Sequence, residues 1–183
     1  MDNPIHCLIC GAPLSYRDKA ASLTCAGCGK TFMSYAQCER GHYICDACHS
    51  KAGLLAIGYI CQETSETDAF ALAATLMRQP AIHMHGPEHH VLAGAALLTA
   101  FYNSGGKIDL TESLTEIINR GKEVPGGTCG YWGCCGAAVS AGTFLSIALK
   151  ATPLSDKAWG LSNRLTAECL AAIGDLGGPR CCK

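Results

Sequence analysis

The chain has 183 residues, with 14 basic against 15 acidic side chains and a net charge of −1. So balanced a charge leaves no extended basic surface for nucleic acid. An apolar share of 49% with only 16% charged residues excludes a disordered tail and fits a core-forming chain of one ordinary domain plus a small one.

The first fifty residues are read as a metal module. Cys7-x-x-Cys10, Cys25-x-x-Cys28 and Cys38-x3-His42-x2-Cys45-x2-Cys48 follow one another closely. A C-x-x-C turn lets two thiolates converge on one ion, and Gly11 and Gly29 supply backbone freedom just after the turn. Cys7, Cys10, Cys25 and Cys28 make one closed tetrahedral zinc site, and Cys38, His42, Cys45 and Cys48 a second. A cross-braced pairing, the first pair sharing its ion with the third, is equally compatible with the spacing. His49 competes with His42 as the nitrogen ligand. The segment between the first two pairs has the length of a short hairpin, so the module is a zinc-ribbon or RING-like piece spanning 1–50. A piece this short has no adequate core of its own, and metal binding supplies its folding energy.

The second domain is 51–183; its apolar spacing after residue 66 is helical, and about five helices make a compact all-α domain. The first covers Asp68–Met77, with Thr67 as N-cap and Pro80 as stop. The second starts near Pro87 and ends at Gly105–Gly106. The third runs from Thr111 to Arg120, from a capping-box-like start to Gly121. The fourth opens at Trp132 or Cys134 and is stopped by Pro153; its Gly136, Ala137, Ser140 and Ala141 permit close helix contact. The fifth runs from about Ser155 to Ile173.

Three loops of this domain carry chemistry. HMHGPEHH gathers His83, His85, Glu88, His89 and His90 at a helix start, where an imidazolium is disfavoured and a neutral base or metal ligand favoured. VPGGTCGYWGCCGAA strips side chains from a turn through Gly126 and Gly127 and presents Cys129, Cys134 and Cys135. At a helix N-terminus a thiol is acidified and an anion held. GGPRCCK ends the chain with Arg180, suited to a carboxylate or phosphate, and with Cys181 and Cys182.

The start of the chain lacks a basic region followed by an apolar run, and no stretch is long and apolar enough to span a bilayer. A cytoplasmic location is expected, and reducing cytosol makes these cysteines ligands or nucleophiles rather than disulfides.

The runs CERGHYICDACH, HMHGPEHH, PGGTCGYWGCCGAA and GGPRCCK resemble those of a cysteine-rich domain-of-unknown-function family found largely in anaerobic bacteria and archaea. That resemblance covers nearly the whole chain and implies one integrated unit in an anaerobic setting. Residues 129–182 are similar in outline to oxygen-sensitive iron–sulfur serine dehydratases and cysteine desulfidases, although the spacings differ and the chain is shorter. This second resemblance implies a four-iron four-sulfur cluster on Cys129, on Cys134 or Cys135, and on Cys181 or Cys182.

The expected function is a metal- and thiol-dependent enzyme, a lyase or sulfur-transfer enzyme for a small anionic or sulfur-containing substrate. His85 or His89 is its base, with Glu88 beside them. Cys135 and Cys182 are its thiols, and Arg180 holds the substrate's charge. Cys129, Cys134, Cys181, Gly126 and Gly127 hold a cofactor. The rivals are metal-free thiol chemistry (an organometal lyase or sulfur carrier) and a non-enzymatic metal-trafficking or zinc scaffold protein. No nucleic-acid or membrane partner is expected, and a homodimer is one open oligomeric state.

Overall fold

In the computed structural model, which describes residues 6–178, the chain divides into two compact units, Met1–His49 and Ser50–Lys183. The first is built on an antiparallel ribbon of β1 (Leu14–Thr24) and β2 (Thr31–Cys38). The hairpin therefore turns at the second C-x-x-C pair, not between the first two pairs as its length suggests. Pairing runs from Leu14 opposite Cys38 to Thr24 opposite Thr31, with an irregularity between Tyr16 and Ala21. Register is what brings Cys38 back beside the first knuckle, because its partner Leu14 lies just beyond Cys10.

Seven helices are found among the described residues: α1 (Asp46–Glu63), α2 (Ala69–Met77), α3 (His89–Asn103), α4 (Leu110–Lys122), α5 (Thr128–Tyr131), α6 (Gly136–Ala148) and α7 (Lys157–Leu176). The chain is mainly helical, as the sequence implies, but with two helices more than expected, α1 and the single turn α5. The N-caps also differ. Asp68 rather than Thr67 caps α2, its carboxylate accepting from the N–H groups of Phe70 and Ala71. Asp109, not Thr111, caps α4 by accepting from Glu112 N–H at 2.8 Å. A carboxylate at the N-cap adds a charge to the hydrogen bond, which a hydroxyl cannot.

The core of the helical unit is aliphatic and joins α1 to α4: Ile57, Cys61, Leu72, Leu76, Leu98 and Ile117 are all at most 1% exposed. α6 closes on α3 through small residues. A Cβ added at Gly94 would lie 2.7 Å from the Ser140 carbonyl oxygen, so only glycine admits that approach. Ser140 Oγ accepts the Gly94 N–H at 2.9 Å and donates to the Val91 carbonyl at 3.3 Å, which satisfies buried polar groups on both helices. None of the described helices is long and apolar enough to cross a membrane.

Candidate functional site

The knuckle cysteines and His42 of the N-terminal unit gather into two groups, and they interleave along the chain. Cys7, Cys10, Cys38 and His42 form one cluster; Cys25, Cys28, Cys45 and Cys48 form the other, each with its ligand atoms within 4.8 Å of one another. The cross-braced pairing is thus the one adopted, and the sequential pairing is not. His42, not His49, supplies the nitrogen of the first cluster.

Each cluster is assembled from local turns. Gly11 N–H donates to the Cys7 carbonyl at 2.9 Å and Gly29 N–H to the Cys25 carbonyl at 2.8 Å, with φ of +66° and +72°. A tighter turn runs through Gly41, φ +84°, whose N–H reaches back three residues to the Cys38 carbonyl at 2.8 Å. Such backbone is left-handed and favours glycine. Cys45 precedes α1 and Cys48 lies in its first turn, where the helix dipole favours a thiolate.

Backbone N–H groups aim at the sulfurs. Ile9 donates to Cys7 Sγ at 3.4 Å, Gly27 to Cys25 Sγ at 3.3 Å, Arg40 to Cys38 Sγ at 3.2 Å and Cys45 to Cys25 Sγ at 3.3 Å. Burial pushes the Cys25 thiol up, but the N–H groups of Cys45, Cys28 and Gly27 outweigh it and bring the thiol down to about 6. Cys38 likewise falls to about 6 against its burial, drawn down by the N–H groups of His42 and Arg40. Cys48 moves the other way, to about 12, chiefly through its contact with Cys45. Three or four thiols so close cannot all ionise without a cation among them, which is why neighbours split in this manner.

The distances fit one small ion per cluster. Cys10 Sγ stands 3.7 Å from Cys38 Sγ, and Cys28 Sγ stands 3.8 Å from Cys45 Sγ. A tetrahedral zinc with ~2.3 Å bonds separates its sulfurs by ~3.8 Å. His42 Nδ1 lies 3.3 Å from Cys10 Sγ and 3.7 Å from Cys38 Sγ, bracketing the ~3.5 Å of a mixed sulfur–nitrogen edge. Both clusters can bind metal ions, and the donor sets suit zinc.

In the helical unit the histidines serve different ends. Glu88 is wholly buried, and its Oε1 accepts from His83 N–H at 2.9 Å and lies 3.1 Å from His83 Nδ1. His89, 5% exposed, donates from Nε2 to the His83 carbonyl at 2.9 Å. These two candidates tie the loop together from inside. His85 is half-buried.

His90 is the residue that reaches the Gly-Cys loop, and the sequence reading did not single it out as a base. Its Nδ1 donates to the Val124 carbonyl at 2.9 Å, which leaves Nε2 as the basic nitrogen of the neutral ring. The ring lies flat against Gly136: a Cβ there would stand 2.6 Å from Nε2. Gly136 opens α6, and Cys135 is its N-cap in extended backbone, its side chain not used to cap the helix. Cys134 N–H is pinned to the Thr128 carbonyl at 3.1 Å, and Gly127 and Gly133 take φ of +86° and +63° around that turn.

Cys134 and Cys135 are half-buried and Cys129 is exposed; these three do not form a metal-ligating group among the described residues. Gly126 is exposed and Gly127 half-buried. Arg180, Cys181 and Cys182 lie outside the described residues. The signal that would have found His90 is its position: adjacent to the inward His89, it points about 100° around the helix, toward the neighbouring α6.

No curated protein and no solved structure matches the chain. A family model described as "Family of unknown function (DUF5714)" matches residues 57–183, which take in most of the helical unit and none of the eight metal-ligating residues. On that match over more than half its length, the chain belongs to the DUF5714 family.

Proposed function

We propose that the N-terminal unit is a two-zinc folding module and that the helical unit is a thiol-dependent enzyme, a lyase or sulfur-transfer enzyme for a small anionic substrate. Cys135 is its nucleophile and His90 its base. The observation that supports this reading is the contact of the His90 ring with Gly136, the residue that follows Cys135 at the start of α6, with Nε2 as the basic nitrogen of that ring. The first N–H groups of α6 open toward the same point and favour both a thiolate and a bound anion.

Bound zinc supplies folding energy to the module and takes no part in the reaction. At the α6 mouth, His90 Nε2 takes the Cys135 proton. The thiolate then attacks the outer sulfur of a persulfide, R–S–SH. The Cys135 S–S bond forms as the donor's S–S bond breaks, and R–S⁻ leaves with the electron pair. Oxidation state is conserved over donor and acceptor, so no outside oxidant or reductant is needed. Arg180 and Cys182 belong to this proposal as substrate anchor and second thiol.

The test begins with anaerobic purification, followed by zinc, iron and acid-labile sulfide analysis and a visible spectrum. Two zincs without iron, with Cys135 alkylated by iodoacetamide faster than the other thiols and slowed by His90→Gln, support the proposal. Iron and sulfide with absorption near ~400 nm overturn it in favour of a cluster on Cys129, Cys134 and Cys181. Zinc without a selectively reactive Cys135 also overturns it, and points to metal trafficking or a scaffold.

A further inference from the structure

α7 is a 20-residue helix with no buried residue. Its inner side rests on α6, where Thr166 and the Ser162 carbonyl crowd Gly142 so closely that no Cβ fits there. At about 100° per residue, Lys157, Arg164, Glu168 and Asp175 all fall within about 40° of one another on the side opposite Thr166. All four are exposed, and among the described residues none is engaged in an ion pair.

Their order is unusual for a helix standing alone. The bases sit in the N-terminal half and the acids in the C-terminal half, the reverse of what the helix dipole favours. Arg164 also precedes Glu168, the weaker orientation for a pair four apart. The same order is self-complementary about Thr166. Lys157 and Asp175 lie nine residues either side of it, and Arg164 and Glu168 two residues either side. Between them the outward face carries Gly160 opposite Ala172 and Leu161 opposite Ala171 under the same symmetry. A Cβ at Gly160 meets nothing within 4 Å. Gly160, Ala171 and Ala172 are small and let a second backbone approach closely.

We infer that the outward face of α7 is a homodimer interface, occupied by α7 of a second copy running antiparallel across a two-fold axis near Thr166. Lys157 faces Asp175 of the other copy and Arg164 faces its Glu168, each contact occurring twice as an isologous interface requires. The charges that oppose the dipole within one helix neutralise each other between two.

The experiment is sedimentation velocity on the full chain, with far-UV circular dichroism to check folding. Wild type sediments at twice the 19.1 kDa chain mass. Arg164→Glu sets two acids against each other at both symmetric positions and raises the dissociation constant by about tenfold or more; Glu168→Arg does the same with two bases. Mixing these two variants restores a dimer, because the paired acids of one variant then face the paired bases of the other. The double swap within one chain also restores it. A monomeric wild type at tens of micromolar overturns the inference. So does a dimer indifferent to both single variants, or a mixture that fails to reassociate while each variant remains folded.

Discussion

Gly136→Ala should destabilise the helical unit, against the ordinary sign of that substitution. In a helix, replacing glycine by alanine removes backbone freedom from the unfolded chain and gains about 0.5–1 kcal/mol. At Gly136 the new Cβ would overlap His90 Cδ2 and lie 2.6 Å from Nε2, so the ring must retreat by more than about 0.8 Å to reach ordinary contact at 3.4 Å. A retreat along the ring normal bends the 2.9 Å bond from Nδ1 to the Val124 carbonyl away from its axis and weakens it. Weakening that bond costs up to about 1 kcal/mol and overpacking about 1–3 kcal/mol, for a net loss of about 1–3 kcal/mol. Thermal unfolding should shift down by about 3–10 °C. Gly174→Ala in α7, where a Cβ meets nothing within 4 Å, is the control and should raise stability. Adding His90→Ala to Gly136→Ala removes the obstacle, so the double variant should lose less than the two singles together. A Gly136→Ala protein melting at or above wild type would refute the placement of His90 against α6.

The interleaved clusters predict that Cys7→Ser/Cys38→Ser loses one zinc and keeps the other, whereas a sequential pairing loses both; metal analysis after gel filtration decides. Ser140→Ala removes the hydroxyl that bonds the Gly94 N–H and the Val91 carbonyl across α6 and α3, groups that keep their partners within α3, and should cost about 0.5–1.5 kcal/mol in urea unfolding. Thr143→Ala removes only a bond to its own helix, to the Val139 carbonyl, and should cost well under 1 kcal/mol. Burial raises the Cys61 thiol from its ordinary 9.0 to about 11. Its protonated form is favoured by folding, so this contribution is complete below pH 9 and is lost as pH rises toward 11. Cys61→Ala should flatten the fall in stability measured across that window.

What the sequence makes legible follows the range of the interactions. The knuckles are local: Cys7-x-x-Cys10 and Cys25-x-x-Cys28 with their following glycines declare ligands whatever the rest of the chain does. Which knuckle shares an ion with which is a matter of strand register, and the residues between them do not disclose that β1 pairs with a strand beyond Cys28. α1 went unseen for a different reason. Its start overlaps the Cys45–Cys48 knuckle, and Gly53 and Gly58 interrupt it, so the helical spacing is recognised only from Asp68 onward. Yet Ser50, Gly53, Leu54, Ile57 and Cys61 keep the helical spacing and are its buried face. Gly53 is there because a Cβ would press within 3.0 Å of the Ala81 carbonyl, a tertiary constraint no local pattern announces.

The histidine loop shows the same limit at the site itself. Four histidines stand near one helix start, and composition alone treats them as equivalent candidates. Position in the loop and on the helix separates them. His89 turns inward and spends its Nε2 proton on the His83 carbonyl, while His83 is drawn to the buried Glu88. A buried carboxylate is stable only where donors surround it, so this loop is held rigid by its own polar interior. His90, one residue beyond His89, faces across the helix pair and is fixed by Val124 from one side and by the bare face of Gly136 from the other. Rigidity behind it and a glycine in front give His90 a single orientation. The base proposed for Cys135 needs that single orientation more than it needs neighbours of its own kind.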